Sequence, residues 1–290
     1  MDPSWKMSSR GIGALLCLVA LAPPALAAAA VPAAVPDADG AGAVRRAAAA
    51  YAALERAEVE KLTAELDALA RDPKVLQAFR ARDRAALLAL AKPRFEALRP
   101  LNVNLLYFLE PEPTRTCFLR VHRPELFGDV VDRVTLSQAI ATHRIASGKE
   151  LGKTAFALRV VRPLLESGRA VGYLELGEEI DHLLTWMKAQ TGDDYAVLVD
   201  KARVDRKELA RIRREDRWDE RPELVLVDST VWNERTVSVD VPLAKLPESG
   251  AIVPRWVDGA HTYVGGAFPL RDASGRVVGA LFVRHDAARP

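Results

Sequence analysis

The sequence predicts an α+β fold: one long N-terminal helix, then two similar domains in tandem, each an antiparallel sheet flanked by helices. Three observations predict it. Residues 44–71 carry Leu54, Leu62, Leu66 and Leu69 near helical spacing, with charges between them and no Gly or Pro. After Pro100 the pattern changes to short apolar runs separated by turn residues. The stretch Pro163-Leu164 through Ser167-Gly168-Arg169 to Val171-Gly172 returns as Pro269-Leu270, Ser274-Gly275-Arg276 and Val278-Gly279, with one extra residue. Each copy reads as strand, turn, strand, so two similar units meet near residues 186–194.

Bulk properties narrow the function. A chain of 290 residues has room for about two domains. With 49% hydrophobic and 28% charged residues it is ordinary for a globular protein, and a net charge of +2 is too small to argue for nucleic acid or an acidic surface as partner. Lys6 and Arg10 precede an uncharged run over 11–22, then Pro23-Pro24 and Ala25-Leu26-Ala27. That order is a secretory signal peptide over 1–27 with cleavage after Ala27, so a periplasmic or secreted protein is expected. An uncleaved N-terminal anchor is the competing reading, and the paired prolines argue against it. Cleavage leaves Cys117 as the sole cysteine. No intramolecular disulfide is then available, and Cys117 reads as a small buried hydrophobe.

Along the chain, 28–43 reads as a flexible tether and 44–100 as a helical region. Asp72-Pro73 supplies a cap and a first-turn proline for a helix through Phe79, and Asp83 caps another through Ala91. The first domain spans 101–190. Its expected strands are 103–109, 116–122, 154–164 and 170–176, with helices over 134–147 and 180–189 and a hairpin turn at Glu166-Ser167-Gly168. The second domain spans 191–290, with strands at 195–200, 224–227 and 237–241. Its charged segment 201–221 mixes both signs and reads as a solvated helix rather than a basic binding patch.

Strand alternation over 117–122 puts Phe118, Arg120 and His122 on one face, with Cys117, Leu119 and Val121 on the other. An aromatic ring, a permanent cation and an imidazole in a row suit an anionic or polar small ligand. Catalytic spacings are missing: no G-x-S-x-G, G-x-x-x-x-G-K-[ST], H-E-x-x-H, C-x-x-C or G-x-G-x-x-G occurs. His122, His143, His182, His261 and His285 stand singly, without the pairing a metal site shows. The expectation is a binding protein with no catalytic residue, no metal and no cofactor.

The run Phe118-Leu119-Arg120-Val121-His122-Arg123-Pro124, then Phe127-Gly128-Asp129, then Gly148-Lys149-Glu150-Leu151-Gly152 leading to Leu158-Arg159 and the Pro163 hairpin, resembles the double Cache sensor family. These are double PAS-like extracytoplasmic domains of bacterial sensor histidine kinases and chemoreceptors. The resemblance implies a long helix packed along two PAS-like domains, with a small-molecule pocket in the membrane-distal first domain. The family's conspicuous positions fall on Arg120, His122, Asp129, Glu150 and Arg159. Candidate ligand-binding residues are therefore Phe118, Arg120, His122, Arg159 and Tyr173, supported by Asp129 and Glu150. Arg159 either pairs with a carboxylate such as Glu150 or Glu175 or waits for a ligand anion. Val130-Val131-Asp132 departs from the polar run usual after Gly-Asp, and no apolar span follows the last strand. The expectation is a sensor module that binds a small molecule such as a carboxylate and signals through a separate membrane protein, with the N-terminal helix as a dimerisation surface. The alternative is an exported structural or protein-interaction module with a vestigial pocket.

Overall fold

The computed structural model describes residues 40–151, 156–212, 218–231 and 242–289. Helix α1 runs over Gly40–Arg71, α2 over Pro73–Arg80 and α3 over Arg84–Leu98. Asp72 caps α2 by accepting from the Lys74 N–H at 2.9 Å, and Asp83 caps α3 by accepting from the Ala86 N–H at 2.9 Å. Both caps were predicted. Helix α3 continues through Pro93, beyond the expected end at Ala91, because Phe95 and Leu98 bury their side chains in the core on its last turns.

The first sheet is built from β1 (Val103–Leu109), β2 (Cys117–Arg120), β3 (Ala146–Leu151), β4 (Phe156–Glu166) and β5 (Arg169–Glu179), in the order β2-β1-β5-β4-β3. The second uses β6 (Asp194–Asp200), β7 (Leu224–Ser229), β8 (Ala251–Asp258), β9 (His261–Arg271) and β10 (Val277–Asp286), in the order β7-β6-β10-β9-β8. Substituting each strand by the one five later converts the first order into the second, and every pairing is antiparallel. The fold is the tandem double-sheet α+β architecture expected. The two copies of the repeat are the β4–β5 and β9–β10 hairpins. Ser167 and Gly168 both have positive φ, the geometry of a two-residue hairpin turn that follows strand twist. In the second copy Asp272 Oδ1 accepts from the Ser274 and Arg276 N–H groups at 2.9 and 3.1 Å, which organises the longer turn.

The expected helix over 134–147 is shorter than predicted. Helix α4 spans Val134–Thr142 and stops at His143, whose φ of 53° is left-handed. Residues Ala146–Leu151 instead form edge strand β3. At Gly148 a Cβ would lie 2.8 Å from Cβ of Ala273, so this strand position is bare where the β9–β10 turn docks on it. The Ala273 N–H donates to the Lys149 carbonyl at 2.7 Å, and Gln138 Nε2 donates to the Ala273 carbonyl at 2.8 Å. Helices α5 (Asp181–Thr191) and α6 (Arg206–Ile212) complete the elements. The strand expected over 237–241 and the start of the one expected from residue 154 lie outside the described residues.

Helix α1 packs on both sheets. Leu62, Leu66 and Leu69 are buried with Leu106, Phe108 and Leu174 of the first sheet and Phe268 and Val283 of the second, in one continuous core. Each such leucine stabilises the fold by about 1.5–3 kcal/mol relative to exposure. A smaller cluster (Tyr107, Leu109, Cys117, Leu136, Val161 and Tyr173 among others) fills the opposite face of the first sheet beneath α4.

Candidate ligand site in the first domain

The site begins with an irregularity in β2. Phe108 pairs with Leu119, but Leu109 pairs with Cys117, so Phe118 is one residue too many for the ladder. Such a bulge resets which way the following side chains point. Strict alternation is overturned here: Arg120 lies opposite Tyr107, on the face Cys117 shares, while Phe118 turns to the helices and meets Phe79 edge-on at 5.4 Å. Burial raises the Cys117 thiol to about 11, in keeping with an inert core residue.

Arg120 organises the loop that follows. Its Nη1 donates to the Leu126 carbonyl at 2.8 Å and to Asp129 Oδ1 at 2.7 Å, and Nη2 donates to Asp129 Oδ2 at 2.6 Å. This fork ties both ends of the 121–129 excursion together. Hydrogen bonding to Arg120 holds the Asp129 carboxyl below its ordinary range. Arg84 grips the same loop from α3, donating to the Pro124 carbonyl at 2.8 Å and lying over the Phe127 ring. His122 packs against Tyr107 with ring centroids 4.9 Å apart, and its Nδ1 accepts from the Leu106 N–H at 3.4 Å. Burial, followed by the nearby charges of Arg120, Arg123 and Arg133, pushes the imidazole down to about 4. The Leu106 bond acts in the same direction, since it needs the unprotonated nitrogen.

Between this loop and α3 lies a cleft of about 970 Å³. Arg120, His122 and Asp129 line it, together with Lys92, Arg99 and Arg123 and an apolar floor that includes Leu88, Phe95 and Tyr107. Phe118, Glu150, Arg159 and Tyr173 are not among its lining residues.

Those four sit elsewhere. Phe118 belongs to the helix-side core, and the other three lie beneath or beside α4. Glu150 Oε1 accepts from the Thr135 N–H at 2.8 Å and its hydroxyl at 2.6 Å, holding the first turn of α4. Tyr173 is buried in the cluster beneath that helix. Arg159 Nη1 donates to Glu175 Oε1 at 2.5 Å, and Arg133 Nη1 donates to the same oxygen. Glu175 is fully buried, and Arg133 also lies over the Tyr107 ring at 4.6 Å. Against the burial that would lower it, the Glu175 charge raises the Arg133 pKa further above its ordinary value. Arg159 is ion-paired with Glu175. Arg133 went unnoticed in the sequence; a lone arginine just before a helix gives no periodic signal.

A family model described as the double sensory domain of two-component sensor kinases matches residues 43–212. The chain belongs to this family. Among solved structures, two of the periplasmic domain of Vibrio cholerae LuxQ are similar to this double sensory domain. One is 13% identical, covers 84% of this chain and 99% of its own, and has a TM-score of 0.51. The other is 13% identical, covers 84% and 98%, and has a TM-score of 0.50. The ligand-binding domain of Campylobacter jejuni chemoreceptor Tlp3, solved in complex with L-valine, is 10% identical over 86% of this chain and 91% of its own, at a TM-score of 0.46. No curated protein sequence matches the chain. No described helix of this double sensory domain is long and apolar enough to cross a membrane.

Another polar group of the double sensory domain lies where α1, β5 and α5 meet. Lys61 Nζ donates to Glu178 Oε2 at 2.9 Å, to the Leu101 carbonyl at 3.0 Å and to Glu58 Oε2. His182 stands beside both carboxylates. Burial above all, opposed by Lys61 and reinforced by Glu58, pushes the Glu178 carboxyl up to about 8. The sequence hid this group because its members come from three elements, and a search for paired histidines passes over a lone His182.

Proposed function

We propose that this chain is an exported, periplasmic sensory module whose first domain binds a small organic anion with an apolar body in the cleft between α3 and the 121–129 loop. The observation that carries the reading is the lining of that cleft. Lys92 and Arg123 stand over a floor of Leu88, Phe95 and Tyr107. Beside them are Arg120 and Arg99, held by Asp129 and Glu96, and Glu125 and Glu179 are also on the wall. Two cations over an apolar floor suit a carboxylate on an apolar stem. Arg120 and Asp129 keep the wall in place, and His122 stays neutral as an acceptor. A ligand there touches α3 and β2 together, and it shifts the module only by its unequal affinity for two arrangements of those elements. Removal of residues 1–27 and a separate membrane signalling protein complete the proposal.

The test is thermal denaturation of the secreted protein against a panel of carboxylates, amines and sugars. Selected carboxylates are expected to raise the midpoint, and Arg123→Ala combined with Lys92→Ala to remove the rise while leaving the unliganded midpoint in place. A rise that survives in the double variant removes the cleft from consideration.

One observation favours a second reading, a protein-interaction module with a vestigial pocket. The sheet face beneath α4 is filled by Tyr107, Tyr173, Leu136 and the Arg133–Glu175–Arg159 group. A stable partner recovered together with no response to any small molecule would support it.

A further inference from the structure

The group at the α1, β5 and α5 junction has a composition that packing alone does not require. Glu58, Glu178 and His182 offer ligand atoms that all lie within 4.8 Å of one another. His182 Nε2 is 3.8 Å from Glu178 Oε1 and 4.0 Å from Glu58 Oε2. The His182 side chain is 10% exposed and that of Glu178 0%, yet neither imidazole nitrogen nor Glu178 Oε1 makes a hydrogen bond. Buried polar atoms without partners are rare because each carries its full desolvation cost. Two of these atoms, His182 Nε2 and Glu178 Oε1, face each other with Glu58 Oε2 beside them, whereas Nδ1 on the other side of the ring lies 4.0 Å from Asp181 Oδ1. One ion could bond the first three at once.

We propose that Glu58, Glu178 and His182 form a binding site for a divalent transition-metal ion of the zinc class. Zinc bonds to nitrogen and oxygen of about 2.0–2.2 Å set neighbouring tetrahedral ligands about 3.4 Å apart, so His182 Nε2, at 3.8 and 4.0 Å from the two carboxylates, needs only a small approach to each. One imidazole and two carboxylates suit a borderline ion; magnesium and calcium would demand six or more oxygens. Charge favours the same choice. Two carboxylates and a neutral imidazole around a divalent ion sum to zero, so the loaded site carries no net buried charge. Lys61 is the group the ion displaces. Its side chain is 13% exposed and already donates to the Leu101 carbonyl, so it has a route to solvent. Glu58 lies on α1, Glu178 near the end of β5 and His182 in the first turn of α5. A bound ion would therefore fasten the long helix to the connection between the two sheets. The inference does not depend on the anion cleft.

The experiment titrates chelator-treated full-length secreted protein with Zn²⁺ by calorimetry and with Co²⁺ by visible absorption. One ion per chain is expected, with a tetrahedral Co²⁺ spectrum. Co²⁺ should also quench Trp186, whose ring centroid is 4.6 Å from that of His182, and Trp186→Phe should abolish that quenching. His182→Ala is expected to weaken affinity by at least about tenfold, the loss that even an outer partner of a metal ligand causes. Lys61→Met keeps all three ligands, which guards against a misfolded His182 variant, and is expected to bind several-fold more tightly. Absence of stoichiometric binding, binding of unchanged strength in His182→Ala, or binding no tighter in Lys61→Met overturns the proposal.

Discussion

Glu175→Ala is expected to destabilise the first domain severely. The carboxylate is fully buried, while the Arg133 and Arg159 side chains are 17% and 11% exposed, and both donate to Oε1. Truncation leaves two nearly buried cations facing each other with no counterion. Breaking a buried pair by removing one partner costs about 3–5 kcal/mol, and two arginines sharing one carboxylate place this case toward the upper end. For a chain of this size each kcal/mol moves the midpoint by about 2–4 °C, so a fall of about 6–20 °C is expected. Arg133→Met should cost less, because it leaves Arg159 and Glu175 as a balanced pair. Circular dichroism melts of the wild type and both variants at neutral pH give the comparison. Acetate should restore part of the loss in Glu175→Ala, since the truncation opens space for a small carboxylate between the two guanidinium groups. A midpoint within about 2 °C of wild type would refute the reasoning, because it would mean that water already reaches the arginines and the charges are not buried together.

The His122 imidazole, pushed down to about 4 by burial and neighbouring arginines, makes the unfolded chain bind more protons than the folded one between that value and its ordinary 6.5. Stability is therefore full above about pH 6.5 and is lost as pH falls toward 4, by about 2 kcal/mol after allowance for solvent screening. His122→Gln should flatten that part of the profile, and an NMR titration placing the ring at 6 or higher contradicts the account. Gly172→Ala is expected to cost about 1–3 kcal/mol: a Cβ there would lie 2.3 Å from Phe79 Cε1 and 3.0 Å from the Leu109 carbonyl. Phe79→Leu in the same chain should recover part of it, and urea denaturation of the single and double variants decides. Arg120→Ala releases Asp129 and the Leu126 carbonyl together, at about 1–2 kcal/mol because Asp129 is largely exposed. Faster chymotryptic cleavage at exposed Phe127, with a midpoint lowered by about 2–8 °C, is the expected result; equal cleavage rates would show that the Arg84 contacts alone hold the loop.

Local chemistry explains which parts of this fold could be read from residues alone. The caps at Asp72 and Asp83, the leucines of α1 and the Ser167–Gly168 turn each depend on neighbours within a few positions, and all of them form as the pattern predicts. The repeat carried farther, because two hairpins with the same turn chemistry imply the same place in two sheets, and β4–β5 and β9–β10 do occupy equivalent places. Alternation failed at β2 for a reason no single strand contains: the bulge at Phe118 exists only in relation to β1. Edge strand β3 was missed for a related cause. Its residues Ser147, Gly148 and Lys149 have no apolar period, and Gly148 is required by Ala273, more than a hundred positions away.

The candidate site divides along the same line. Arg120, His122 and Asp129 lie within ten residues of one another and converge on the cleft wall, so a local motif was enough to find them. Arg159 was found as a residue, but its role depended on Glu175 and Arg133, which reach it from β5 and from the residue before α4. An isolated arginine on an apolar strand face has two stable fates, a ligand anion or an internal carboxylate, and only the register that sets Val161 opposite Glu175 decides between them. Because the protein supplies that carboxylate itself, Arg159 already has an internal partner beneath α4, in a group that keeps one net positive charge. Lys92 and Arg123 line the open cleft between α3 and the 121–129 loop, and the proposed recognition of a ligand anion rests on them.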